Sequence, residues 1–132
     1  MEFLQSHQYA DDPHGIPVPV TLRHGDRSVL FLAKVDTGAQ YCVFQRQWGE
    51  RLGLAIESGE PLTFGVATGD HFVAYGFELE FEVLGLKYLS VVYFAGPAGF
   101  ARSVLGRNGW LSKSRLGLVD YDRTLLLSPY DS

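Results

Sequence analysis

A single cysteine, Cys42, in a chain of 132 residues leaves no internal disulfide, and a reducing, cytoplasmic compartment is the simplest setting for it. No run of lysine and arginine occurs. With 11 basic and 15 acidic side chains the net charge is −4, which speaks against the basic face that nucleic-acid binding demands. No apolar run is long enough for a bilayer. The most apolar later stretch, YLSVVYFAGPAGFA, is interrupted by Ser90, Gly96, Pro97 and Gly99, so no membrane span is expected. MEFLQSHQYADD lacks a basic n-region and an apolar h-region, so no signal peptide is expected. Neither G-x-x-x-x-G-K-[ST] nor G-x-G-x-x-G is present, which removes the usual phosphate-binding loops. His7, His14, His24 and His71 stand at spacings that match no metal-ligand pattern and read as solvated loop residues. No metal and no organic cofactor is expected.

What is there suits one domain with one core: 46% hydrophobic and 14% aromatic residues at this length. Residues 1–15 are polar and irregular, with DDPHG as a turn, and read as an N-terminal arm outside the core. Residues 16–132 read as a single domain. Val18, Val20 and Leu22 alternate with Pro19, Thr21 and Arg23, predicting a hairpin that turns at residues 24–27. Pro17 and Pro19 place its first strand at a sheet edge. Phe44, Trp48 and Leu52 recur at four-residue spacing before Gly53, predicting a short helix over 44–54, with Gly49 unfavourable inside it. From Pro61 to Ala95 the pattern is strand, with the turn-rich tip ATGD and a second turn near Gly85. In FELEFEV, Phe77, Leu79, Phe81 and Val83 alternate with Glu78, Glu80 and Glu82, one buried face and one wet face. A short strand before Gly106, one or two helical turns over 109–113, and a hairpin around residues 120–123 complete the reading. The class is all-β with one or two short helices.

Asp36 is the residue out of place. It follows the apolar residues Val29, Leu30, Phe31, Leu32, Ala33 and Val35, and precedes the small residues Thr37, Gly38 and Ala39. A carboxylate there costs free energy unless it is paired, hydrogen-bonded or protonated. A plain turn explains Asp, Thr and Gly individually. The second feature is Val104-Leu105-Gly106-Arg107-Asn108, about seventy residues later.

Asp36-Thr37-Gly38-Ala39 together with Leu105-Gly106-Arg107-Asn108 resembles the retroviral-type (retropepsin-like) aspartic proteases, and looks closer to their cellular or bacterial single-domain relatives. The resemblance spans roughly residues 16–130. It implies a closed β-barrel of the acid-protease type with a flap hairpin. It implies an endopeptidase in which Asp36 activates a water for attack on a peptide carbonyl, using two carboxylates that share one proton, as in the aspartic-protease dyad. Activity is then expected on the acidic side of neutral. Only one Asp-Thr-Gly is present, so the second carboxylate comes from a second copy, and a homodimer with facing Asp36 side chains is required.

By the same resemblance Thr37, Gly38, Ala39 and Gly106 support the active-site loop: Thr37 bonds across the dimer axis, and Gly106 passes where a side chain would clash. Gly65, Val66, Ala67, Thr68, Gly69 and Asp70 form the flap over an extended peptide or protein substrate, with Gly65 and Gly69 as bending points. Arg107 and Asn108 are structural. The carboxylate that such an Arg pairs with is missing here, where Gln40 and Tyr41 stand, leaving Glu50, Asp120, Asp122 or no partner for Arg107. An apolar pocket is expected from Val66, Phe72 and Val104. The alternative function is a non-catalytic peptide-binding or dimerisation module of the same fold. Cys42 reads as a buried, inert thiol, Trp48 and Trp110 as core, and Glu78, Glu80 and Glu82 as a solvated strand face.

Overall fold

Period-two alternation dictates most of the molecule. The computed structural model describes residues 2–65 and 68–131. Its strands are β1 Gln5–Gln8, β2 Pro17–His24, β3 Arg27–Val35, β4 Val43–Phe44, β5 Glu60–Gly65, β6 His71–Val83, β7 Leu86–Ala95, β8 Val104–Leu105, β9 Ser114–Val119 and β10 Thr124–Pro129. Among the described residues one α-helix, α1, spans Arg46–Arg51, and three single 3-10 turns lie at Ile56–Ser58, Leu111–Lys113 and Asp120–Asp122. The fold is mostly β.

Seven strands pair in the order β2-β3-β8-β4-β7-β6-β5, and a further β2–β6 pairing closes a ring that leaves β5 outside on β6. The long partners β6 and β7 are joined by Leu84 and Gly85, with φ of 53° and 81°, the primed turn whose twist suits two strands. Leu79, Phe81 and Val83 are buried inside the ring while Glu78 and Glu80 are exposed, as the alternation predicts. A second sheet, β1-β10-β9, sends Leu125 and Leu127 into the same core as Val18, Val20, Leu22, Phe44, Phe94 and Trp110.

The strand β2 is an edge for only half its length. Residues 20–23 pair with β6 as well as β3. Lys34, opposite Pro17, donates its N–H to Ser103 rather than to β2, and Val35 donates to Ile16. Pro17 and, by alternation, Pro19 therefore point their nitrogens away from β3, at a stretch β6 does not reach. The missing donors are missed by nothing.

Two expectations need correction. The helix is shorter than the period suggests, because Phe44 belongs to β4. It ends as expected: Gly53 donates to the Glu50 carbonyl and Leu54 to the Gly49 carbonyl, closing the last turn. The unfavourable Gly49 is buried, and a Cβ there would stand 2.7 Å from Ile56 and 3.0 Å from the Phe94 ring; close packing requires it. Nor is the N-terminal arm outside the core. β1 pairs with β10 through residues 5–8, and Tyr9 is buried among the core side chains. The Tyr9 N–H donates to the Arg123 carbonyl at 2.9 Å and its hydroxyl to Asp120. Polar residues hide this strand, because it is held by backbone bonds and by the one aromatic that follows it.

Candidate active site

The loop that carries Asp36 is built by the strand before it and a segment behind it. Apolar β3 runs into the ring and stops at Val35. Lys34 donates its N–H to the Ser103 carbonyl at 2.8 Å, and Asp36 donates to the Leu105 carbonyl at 3.0 Å. The chain then leaves the sheet in a tight turn. Gly38 donates its N–H to Asp36 Oδ1 at 3.0 Å, and Ala39 donates to the Asp36 carbonyl at 3.2 Å. This is the local chemistry that Asp before small residues favours. Asp36 and Ala39 are half-buried, and Thr37 and Gly38 are exposed. The Thr37 hydroxyl has no hydrogen-bond partner among the described residues of its own chain.

Residues 104–108 run directly behind this loop. Arg107 donates its N–H to the Ala39 carbonyl at 2.9 Å and Asn108 to the Gln40 carbonyl at 2.8 Å, and Tyr41 bridges Asn108 in parallel. A Cβ on Gly106 would lie 2.2 Å from the Tyr41 carbonyl oxygen and 2.8 Å from that of Ala39. Only glycine passes at that distance. The two sequence features, seventy positions apart, thus form one unit of backbone hydrogen bonds.

Cys42 sits beneath the loop, fully buried. Burial pushes its thiol up to about 12, against a smaller opposing effect of the Gly106 N–H that donates to its sulfur at 3.4 Å. It is inert in the folded chain. The Arg107 side chain is exposed and has no partner among the described residues. Glu50 is taken by Arg46, Asp120 by the Tyr9 hydroxyl, and Asp122 makes no ion pair with it.

Asp36 opens into a cleft of about 550 Å³. One wall is its own loop, from Gly38 to Tyr41; another is the β5–β6 hairpin, through Leu62, Thr63, Phe64, Gly65 and Phe72; a third is Phe100, Arg102 and Val104. Tyr41, Phe64, Tyr93, Phe72 and Phe100 interlock as a chain of rings. Centroids are 5.8 Å apart for Tyr41–Phe64, 5.5 Å for Phe64–Phe72 and 4.7 Å for Phe72–Phe100. Burial is the main cause that raises the Tyr93 hydroxyl above its ordinary value, and neighbouring Tyr41 and Glu60 add to it.

Of the residues read from the sequence as flap, Gly65 lines the cleft and pairs with His71. Thr68, Gly69 and Asp70 are exposed at the hairpin tip and do not line it. Thr68 Oγ1 donates to Asp70 Oδ2 at 3.3 Å, and Gly69 turns with φ of 90°. Val66 and Ala67 lie outside the described residues. Phe72 and Val104 do line the cleft, as expected of them. Sequence reading missed Tyr41, Phe64, Phe100 and Arg102. Phe64 was findable, since it and Phe72 flank the turn-rich tip and pair across the hairpin. Arg102 lies in a loop and gave no signal.

No protein-family model matches the chain, and no curated protein matches it in sequence. What the site can do rests on its own geometry. Among the described residues no group of three or more His, Cys, Asp or Glu side chains is placed to hold a metal ion, and no helix is long and apolar enough to cross a membrane. Among its described lining residues the cleft offers one carboxylate, one guanidinium and an aromatic wall.

Proposed function

We propose that the chain is a retropepsin-like aspartic endopeptidase acting as a homodimer. The observation that carries this reading is the pairing of the Asp36 loop with residues 104–108, with the carboxylate opening into the cleft. The closed ring of strands is then the β-barrel of the acid-protease fold, and the β5–β6 hairpin its flap.

The chemistry follows from the number of carboxylates. Peptide hydrolysis needs a base to activate water and an acid for the leaving nitrogen. One chain brings one carboxylate to the cleft. A two-fold dimer sets Asp36 against its copy, and like charges in contact hold one proton between them. The ionised member activates the water and the protonated member donates to the scissile amide. No covalent intermediate forms. The exposed Thr37, unpartnered among the described residues of its own chain, is free to bond across the axis. An extended peptide lies in the cleft, pairs its backbone with the flap as an added strand does, and closure excludes water. The reduced, buried Cys42 suits a cytoplasmic enzyme.

The test is Asp36→Asn. The variant is expected to remain a dimer by sedimentation at micromolar concentration and to lose cleavage of a peptide library by about a thousandfold or more. Cleavage at the parent rate refutes the mechanism, and a monomeric parent that cleaves refutes the dimer. Peptide binding by a parent that never cleaves would instead identify a binding module.

A further inference from the structure

Among its described lining residues the cleft holds two charged side chains, Asp36 and Arg102. Asp36 has an assigned task. Arg102 is exposed and makes no ion pair or hydrogen bond with any described residue, Asp36 included. Its place on the wall is nonetheless fixed. Phe100, Arg102 and Val104 line the cleft while Ala101 and Ser103 do not, the alternation of an extended segment. Ser103, buried between them, pins that segment: its carbonyl accepts the Lys34 N–H at 2.8 Å and its hydroxyl the Gln45 N–H at 3.1 Å. Phe100 packs on Phe72 on the other side. A guanidinium carried on a segment so held, between the cleft-lining Phe100 and Val104 and lacking a partner among the described residues, matches a planar carboxylate that arrives with the ligand.

We infer that Arg102 is a specificity-determining residue that receives a carboxylate of the substrate, so that the cleft selects peptides with an Asp or Glu side chain close to the cleaved bond. This rests on the endopeptidase reading. In a two-fold dimer each protomer contributes one Arg102, so acidic side chains are favoured at matching distances on both sides of that bond. Rim charges select more than they bind. Exposed ion pairs are worth little and charge-assisted bidentate pairs more, so the preference for Glu over isosteric Gln is about three- to tenfold.

The test uses octapeptides with a central Phe-Phe pair and one Glu, Gln or Lys walked through the remaining positions, each made with a free and an amidated C-terminus. Affinity is measured on Asp36→Asn and cleavage on the parent, with and without Arg102→Ala and Arg102→Glu. The expected result is a Glu-over-Gln preference at one or two positions, at either terminus chemistry. It falls to about one in Arg102→Ala and turns toward Lys in Arg102→Glu. Equal handling of Glu and Gln by the parent, or a preference that survives Arg102→Ala, overturns the inference while leaving proteolysis standing. A preference that depends on the free C-terminus alone overturns it as well, by assigning Arg102 to the chain end. Selective binding with no cleavage by the parent sinks the endopeptidase reading and leaves carboxylate selection in place. No measurable binding of any peptide at millimolar concentration overturns the inference.

Discussion

Replacing Gly106 by alanine adds one methyl group at the point where two distant parts of the chain touch. Its Cβ would lie 2.2 Å from the Tyr41 carbonyl oxygen, 2.6 Å from the Tyr41 carbonyl carbon and 2.8 Å from the Ala39 carbonyl oxygen. A carbon–oxygen contact normally sits near ~3.3 Å, so the nearest overlap is about 1 Å. All three atoms are backbone, and no rotamer change relieves them. The loop bearing Asp36 must move, and the Arg107 N–H to Ala39 bond at 2.9 Å goes with it. Overpacking of this kind costs about 3 kcal/mol, a large part of the roughly 5–15 kcal/mol that holds a domain folded. At the usual urea slope the unfolding midpoint falls by about 1–2 M. On the endopeptidase reading the cleavage rate falls by about a hundredfold, since a displacement near 1 Å suffices for that. Gly99→Ala is the control, because a Cβ there meets nothing within 4 Å. The assay is urea unfolding of both variants beside peptide cleavage. A Gly106→Ala protein with a midpoint within about 0.3 M of the Gly99→Ala control and with parental cleavage would refute the reasoning about this crossing.

Tyr9→Ala is expected to destabilise the chain by about 3–4 kcal/mol, read as a lower urea midpoint, because it empties a buried aromatic site; a merely solvated arm would lose nothing. Alkaline stability follows from two raised groups. Burial holds Cys42 up at about 12 against an ordinary 9.0, and the hydrogen bond to Asp120 holds Tyr9 up at about 12 against 10.0. Unfolded chains release these protons first, so the stability both groups confer is intact below pH 9 and is lost as pH rises from 9 towards 12. Cys42→Ala should move the onset of that loss up towards pH 10, seen in thermal melts across the range. In the parent, iodoacetamide at pH 8 should modify Cys42 only at the rate of unfolding.

The local features were legible because neighbouring residues encode them. Alternation in residues 77–83 gave the long strand. Gly85 marked one turn and Gly53 the end of the helix. Asp36-Thr37-Gly38 declared a tight turn, and its Asx bond needs only neighbours. Less was legible where a residue's reason lies elsewhere in the chain. Gly49 reads as a helix defect until Ile56 and the Phe94 ring are placed against it. Residues 5–8 read as an arm because strand pairing with β10 leaves no mark on a polar sequence.

Order along the chain carried the all-β class and the place of the Asp-Thr-Gly, after an apolar strand and about seventy residues ahead of Leu105-Gly106. Only the tertiary structure placed Arg107 in solvent without a partner among the described residues, brought Phe64 and Phe100 together across Phe72, and set Arg102 in one cleft with Asp36. Such facts depend on pairing between strands far apart in sequence, where one register sets which side chains share a face. No local pattern carries that register.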